Sequence, residues 1–506
     1  MNPNAKIPKG MSFEDNSYTR LLKENLNIQV VYDWTASTSD YDEKMSLCIG
    51  SNTIPEIMNV NATQYRALLK YDMIQPLDKY FDDYASDALK SYVKSGGEEL
   101  QKCITNEDGE LMAIPAPNLT AGGVNEMWIR QDWLDALGLD VPRTWDELAE
   151  VAKAFVTRDP DGNGENDTIG ILGPGNSDHM NAVGGNQFGL DPLFSCFQSY
   201  PQYWLKSEDG SVEYGSIQPE TKTALENISK LYADGVIDPE TLVRSDSKEP
   251  LLAGKVGIFF GPWWCAYTFA DTTLSGSADW RAYFTPLSED GKYYTHMAEP
   301  TTQYVVASKD CKNPEAAFKI INYIVANEQK WVEEGVTSTE MGTGDFYPLY
   351  NTYDNADEIE KSYEALTKYL AGDISMDDVD FSTHKLLKND MEAVTKLKKK
   401  PYDDFSLKYW NLDSDLAKTN LPRLVAIMVG DAPLVNEEYV PVYNAYNGQT
   451  ETMEAKWANL KKMEEETFAK IIMGKADISE FDTFVKNWKN QGGDQILKEI
   501  NDELSK

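Results

Sequence analysis

The chain has 506 residues, 41% hydrophobic and 26% charged, which is globular composition and more length than one compact domain uses. Its 83 acidic residues outweigh 47 basic ones, for a net charge of −36. A field of that sign repels phosphate backbones and anionic lipid surfaces, which weighs against nucleic acid as a partner.

Taken in chain order, strand-like runs at Ile28–Tyr32 and Ile54–Val60 flank a helix around Tyr41–Ile49. Ile114–Val124, rich in Pro and Gly, reads as a crossing between domains. Thr144-Trp-Asp-Glu147 is a capping box, followed by apolar residues at a helical period from Trp145 to Val156. Pro219 opens a helix that Gly235 stops, and Val256–Phe260 is a strand ended by Pro262. A second crossing is expected near 299–303, just before a strand over Tyr304–Ser308, and Asn313-Pro314 opens the next helix. A third crossing is expected near 342–348. The Lys-rich run Lys396–Lys400 reads as a solvated helix end, and Lys456–Met473 as an amphipathic helix ended by Gly474. Alternating strands and helices predict an α/β fold with a largely parallel sheet.

Three exclusions follow from motifs. The longest apolar run, Val256–Ala270, is too short for a bilayer and is broken by Gly261 and Pro262. The five cysteines (Cys48, Cys103, Cys196, Cys265, Cys311) are odd in number and never in CxxC, which argues against a disulfide framework or a zinc site. No GxxxxGK[ST], HExxH or GxSxG occurs, and His179, His296 and His384 are scattered. The N-terminus, MNPNAKIPKG, has no apolar leader core, so export requires a signal upstream of it.

Two signals carry chemistry. Asp159, Asp161 and Asn163 stand at positions 1, 3 and 5 of an EF-hand-type loop, with Gly164 at the turn, the Glu165 carbonyl at 7 and Asp167 at 9. Such a ring of oxygens suits Ca²⁺ in a structural role, although Gly170 replaces the bidentate Glu at position 12. Aromatics are the second signal. Trp263 and Trp264 follow a strand end, where α/β clefts bind ligands, and their flat rings suit the C–H faces of sugars. Trp128, Trp204, Trp410, Tyr443 and Tyr446 lie in further loop-like contexts, and Asn125 follows the Gly-rich crossing.

These segments, in order, resemble extracellular solute-binding proteins of the family 1, sugar-binding class. The likeness is carried by Ile54-Pro-Glu-Ile57, Trp128-Ile-Arg-Gln-Asp-Trp-Leu134, Thr144-Trp-Asp-Glu-Leu148, the Asp159–Asp167 loop, Gly254–Trp264 and Gly492-Gly-Asp-Gln-Ile496. The resemblance implies two α/β lobes of the type II periplasmic-binding-protein style, closing by a hinge over a saccharide. Lobe 1 is expected over 1–121 with about 302–346, and lobe 2 over 122–301 with about 347–506. The resemblance further implies a lipid anchor outside the cytoplasmic membrane and delivery of an oligosaccharide to ABC permease subunits, with no catalysis. By analogy with a maltodextrin-binding relative, Trp263 stacks on sugar, and the loop after the Ile54–Val60 strand contributes Asn59, Asn61 and Gln64. A receptor that docks on one transporter is most simply a monomer. The competing readings are a secreted glycosidase or lyase and, behind it, a peptide receptor.

Overall fold

The computed structural model describes residues 10–175, 185–276, 278–333, 348–349, 353–381, 384 and 386–504. Two compact units emerge: Met1–Leu119 with Pro300–Asp357 and Ser382–Lys385, and Thr120–Glu299 with Glu358–Phe381 and Leu386–Lys506. The crossing expected near 342–348 lies outside the described residues apart from Pro348. Tyr353–Asp357, expected in the second lobe, belong to the first unit. There Asn355 accepts a hydrogen bond from Ser91 at 3.1 Å, and the Ala356 N–H donates to Ser95 at 2.8 Å.

Eleven strands are described: β1 Ile57–Val60, β2 Ile114–Pro115, β3 Glu126–Arg130, β4 Ile169–Leu172, β5 Trp204–Lys206, β6 Val212–Tyr214, β7 Val256–Gly261, β8 Trp280–Tyr283, β9 Tyr293–His296, β10 Tyr304–Ala307 and β11 Tyr439–Val442. The first unit holds the sheet β1-β10-β2, antiparallel throughout. Its core gathers Met58, Val60, Tyr65, Leu68, Val305 and Phe318. The second unit holds β4-β7-β3-β8, in which only β4–β7 is parallel. The largely parallel sheet expected from alternation is therefore corrected. Strands arriving from distant parts of the chain, such as β10 beside β1 and β2, are not bound to the parallel return of a βαβ unit.

Local signals fold as their chemistry dictates. The Thr144 hydroxyl accepts from the Glu147 N–H at 3.3 Å, and the Glu147 carboxylate accepts from the Thr144 N–H at 3.0 Å, closing the capping box of helix Trp145–Thr157. Helix Pro219–Ala233 carries Pro at its start, and Gly235 beyond it sits at φ +69°. Ile28–Tyr32 is not a strand. Ile28 and Val30 do pack on Tyr18, Leu22 and Ile320, but the segment joins no sheet, and the Tyr32 N–H goes to the Glu14 carboxylate at 2.9 Å. Alternation there marks an extended, half-buried segment without a ladder. No disulfide joins the five cysteines. Among the described residues, no helix is long and apolar enough to cross a membrane.

Lys396–Lys400 departs from its expectation. Lys398 is buried, donates to the Asp404 carbonyl, and lies 4.0 Å from the Phe405 ring centroid and 4.9 Å from that of Trp410. Burial, with Arg281 nearby, pushes its ammonium down to about 8. The loop after the helix thus folds around one lysine as a cation held by aromatic faces. Lys398→Met is expected to lower stability by about 1–3 kcal/mol, read by denaturant unfolding, by leaving the Asp404 carbonyl unmade.

Candidate functional site

In the first unit, the end of β1 brings three expected residues together. Asn61 caps helix Ala62–Lys70, accepting from the Gln64 N–H at 2.9 Å, while the Gln64 side chain accepts from the Asn61 N–H at 3.2 Å. Both side-chain amides donate to one oxygen of Asp42, at 3.3 Å from Asn61 and 2.8 Å from Gln64. Asn59 donates to Gln303 at 2.7 Å, and Tyr41, packed on Trp34, donates to the Asn59 carbonyl at 3.1 Å. Asp42, Tyr41, Trp34 and Gln303 were not singled out from the sequence. Only β1–β10 pairing brings Gln303 beside Asn59, and no local pattern reports it.

In the second unit, the start of β3 and the end of β7 meet, with Glu126 opposite Gly261. Pro262 ends β7, and Trp263–Cys265 forms a tight turn leading into helix Ala266–Leu274. Trp263 is 5% exposed and Trp264 more so. A π-helical turn, Ala426–Gly430, packs against this edge. A Cβ on Gly430 would stand 2.8 Å from the Trp263 carbonyl oxygen and 2.9 Å from the Trp128 ring, so only glycine permits the approach that delivers Asp431. Asn125 is fully buried; its side-chain oxygen accepts from the Gly185 N–H at 3.1 Å and its carbonyl from the Tyr293 hydroxyl. Tyr443 packs, with Tyr439, on Val124, Phe284 and Tyr293.

Four expected aromatics are spent elsewhere. Trp128 is fully buried within β3, its ring stacked 6.2 Å from Phe259 and edge-on to Phe269. Two places along, Arg130 grips Asp132 at 2.8 Å and lies over Trp133, so the Trp128–Leu134 motif serves the core. Trp204 stacks on Trp457, Tyr446 packs on the main core and donates to Glu503 at 3.0 Å, and Trp410 covers Lys398. The face of a ring that is covered by protein is not available to sugar.

The edge also holds residues that sequence reasoning missed. Glu126 and Asp431 are fully buried. Burial, then the Asp431 and Glu437 charges, raise Glu126 well above the carboxylate range; burial and Glu360 push Asp431 up to about 9. Nothing distinguishes these two among 83 acids in the sequence. Elsewhere in the unit His296 contacts Asp191, both buried, and burial takes the imidazole down to about 3. His179 lies outside the described residues.

The acidic loop is closed by its own hydrogen bonds. Asp159 accepts from the Asn163 and Gly164 N–H groups at 3.1 and 3.0 Å, and the Asn163 amide donates to Asp161 at 2.9 Å and Asp167 at 3.2 Å. Lys255 pairs with Asp167 at 2.8 Å. Desolvation and the neighbouring Asp159 push Asp161 up. Among the described residues, no three His, Cys, Asp or Glu side chains converge as a metal site. Position 12, Gly170, lies in β4, where a Cβ would meet the Ala152 and Val236 carbonyl oxygens at 2.7 Å. No glutamate fits there. Thr168 donates to the Phe155 carbonyl at 2.7 Å, anchoring the loop's exit to the helix.

These two units and their strand-end sites fit one class. The chain belongs to the bacterial extracellular solute-binding protein family, whose model matches residues 6–331. Among particular relatives it is 30% identical over 259 residues to the fructooligosaccharide ABC transporter substrate-binding protein FusA of Streptococcus pneumoniae serotype 4, and 28% identical over 251 residues to Lipoprotein LipO of Bacillus subtilis. These matches cover 48% and 47% of this chain, which spans about half the length of each relative, 45%. It is 24% identical over 469 residues to the polygalacturonan/rhamnogalacturonan-binding protein YtcQ of Bacillus subtilis, covering 90% of this chain and 82% of that one. Solved structures share the fold. A solute-binding protein described as binding HMO, from Bifidobacterium longum infantis, superposes at TM-score 0.58 with 17% identity, covering 98% and 96% of the two chains. An EF-hand mutant of the S. pneumoniae protein FusA with fructo-nystose superposes at 0.54 with 18% identity, covering 97% and 96%.

Proposed function

We propose that this chain is the substrate-binding component of an ABC importer, capturing an oligosaccharide outside the cell and presenting it to membrane permease subunits. The observation that carries this reading is the family match over residues 6–331, in which a curated relative handles fructooligosaccharide. Trp263 and Trp264 stack on sugar in the second unit, with Asn125 and Tyr443 beside them; Asn59, Asn61 and Gln64 bind hydroxyls in the first. Trp263→Ala is expected to weaken binding at least tenfold by calorimetry, because truncating a tryptophan that stacks on a ligand removes a large, rigid contact. The enzyme reading is tested in the same tubes: a labelled oligosaccharide recovered intact supports the receptor, and product formation overturns it. The likeness to LipO supports a lipid anchor upstream, and a single receptor docking on one transporter supports a monomer.

The acidic loop belongs to this proposal as a Ca²⁺ site of structural role. Asp159, Asp161, Asn163 and Asp167 offer side-chain oxygens and Glu165 a carbonyl, the donor set a hard cation takes. The repelling Asp159–Asp161 pair gains from a cation, whereas Lys255 on Asp167 competes with it. Calcium is expected to raise the melting temperature by a few degrees over EDTA-treated protein, and by more in Lys255→Met. An EDTA-insensitive melting temperature in both proteins contradicts the site.

A further inference from the structure

The edge where β3 meets β7 holds polar groups that packing does not explain. None of the four carboxyl oxygens of Glu126 and Asp431 has a hydrogen-bond partner among the described residues. The Nδ2 of Asn125 and the Nε1 of Trp263 are likewise buried and unpartnered. Acceptors and donors are therefore left unmade on neighbouring segments: the start of β3, the turn after β7, and the residue after the π-helical turn. Native interiors rarely leave even one such group unsatisfied without a functional reason. The charges that shift these two carboxyls are all negative. Asp431 and Glu437 raise Glu126, and Glu360 raises Asp431. The guanidinium of Arg143 is engaged by Glu437 at 2.5 Å. A core needing only packing gains from apolar residues at such positions, since unpaired carboxyls cost stability there.

We propose that Glu126 and Asp431 are specificity-determining residues of the sugar site, selecting neutral or amino-bearing glycans and rejecting uronic-acid glycans. This rests on the receptor reading above. A sugar hydroxyl is donor and acceptor at once, so it satisfies a carboxyl oxygen while accepting from the Asn125 amide or the Trp263 indole N–H. An ammonium donates to the carboxyls more strongly still. A uronate would have to bury an ionised carboxylate where the dielectric is low and Arg143 is already paired with Glu437. The site is then opposite in sense to an Arg-lined pocket for acidic polymers. It sets this chain apart from YtcQ, whose name gives polygalacturonan and rhamnogalacturonan as its ligands.

The test is calorimetry of the wild type, Glu126→Gln and Asp431→Asn against nystose, maltotetraose, xylotetraose, chitosan tetramer and tetragalacturonate. The expected result is binding of a neutral or amino glycan at least 100-fold tighter than tetragalacturonate, weakened tenfold or more in each variant. Melting temperatures of the variants are expected to hold at neutral pH and to rise on the alkaline side, because a buried amide, unlike a carboxyl, cannot ionise. A purely structural role would lower the melting temperature and spare affinity in the folded fraction. Tight binding of tetragalacturonate by the wild type, or variants of unchanged affinity, overturns the inference while the receptor reading stands. Silence across the panel overturns both.

Discussion

Gly170→Ala is expected to destabilise the second unit by about 3 kcal/mol or more, seen as a large fall in denaturant midpoint. The added methyl would lie 2.7 Å from two backbone carbonyl oxygens, Ala152 on the capped helix and Val236 on the chain beyond helix Pro219–Ala233. Neither is the end of a side chain that can swing aside. Relief requires β4 to part from the helix whose Leu148, Ala152 and Phe155 fill the core. The consequence reaches the acidic Asp159–Asp167 loop. Gly170→Glu, which would complete the EF-hand pattern on paper, is expected to unfold the unit rather than tighten a metal site. A Gly170→Ala protein with wild-type stability would show that β4 is not packed as described.

The second large effect is a loss of stability on the alkaline side. Glu464, buried on helix Glu451–Ile472, accepts from Tyr214 at 2.8 Å and Ser216 at 2.7 Å, and burial pushes it up to about 7 despite those bonds. Asp431 is pushed up to about 9. A carboxyl whose folded pKa lies above its unfolded value binds its proton more tightly in the native state. Its contribution is full below about 4 and is lost as pH rises through 7 for Glu464 and 9 for Asp431. His296 works from the other side. Its imidazole, lowered to about 3, favours the native state above the unfolded value near 6.5 and loses that contribution as pH falls toward 3. The two raised carboxyls together outweigh the histidine above about pH 4.5, so the stability these groups supply is expected to peak near pH 4 to 5, with a melting temperature several degrees lower at pH 9. Glu464→Gln is expected to flatten the fall between pH 5 and 7.5, and Asp431→Asn the fall up to pH 9. A melting temperature that rises steadily from pH 6 to 9 contradicts this account.

Signals confined to a few residues were readable in the sequence. Thr144 and Glu147 satisfy each other's amides wherever they occur, and Pro219 and Gly235 bound a helix by backbone chemistry alone. The β7 strand and its Pro262 stop were readable for the same reason. What depends on a distant partner was not. Ile28–Tyr32 alternates like a strand, yet strand formation needs a neighbour, and none arrives among the described residues. Trp128 reads as a platform from its Gly-rich approach, but β3 is buried on both faces and its ring becomes core. Lys398 looks solvated beside other lysines until Phe405 and Trp410 fold over it. Glu126 and Asp431, more than 300 positions apart, come near each other only when the π-helical turn meets the Trp263 turn.

The central claim is that a sugar binds at the edge bearing Trp263. Its most direct test is calorimetry of the purified chain and of Trp263→Ala against neutral oligosaccharides, with the ligand recovered and analysed afterwards. The account predicts tight binding by the wild type, a loss of tenfold or more in the variant at unchanged fold, and intact sugar. Equal affinity in both proteins, or cleaved sugar, would contradict it.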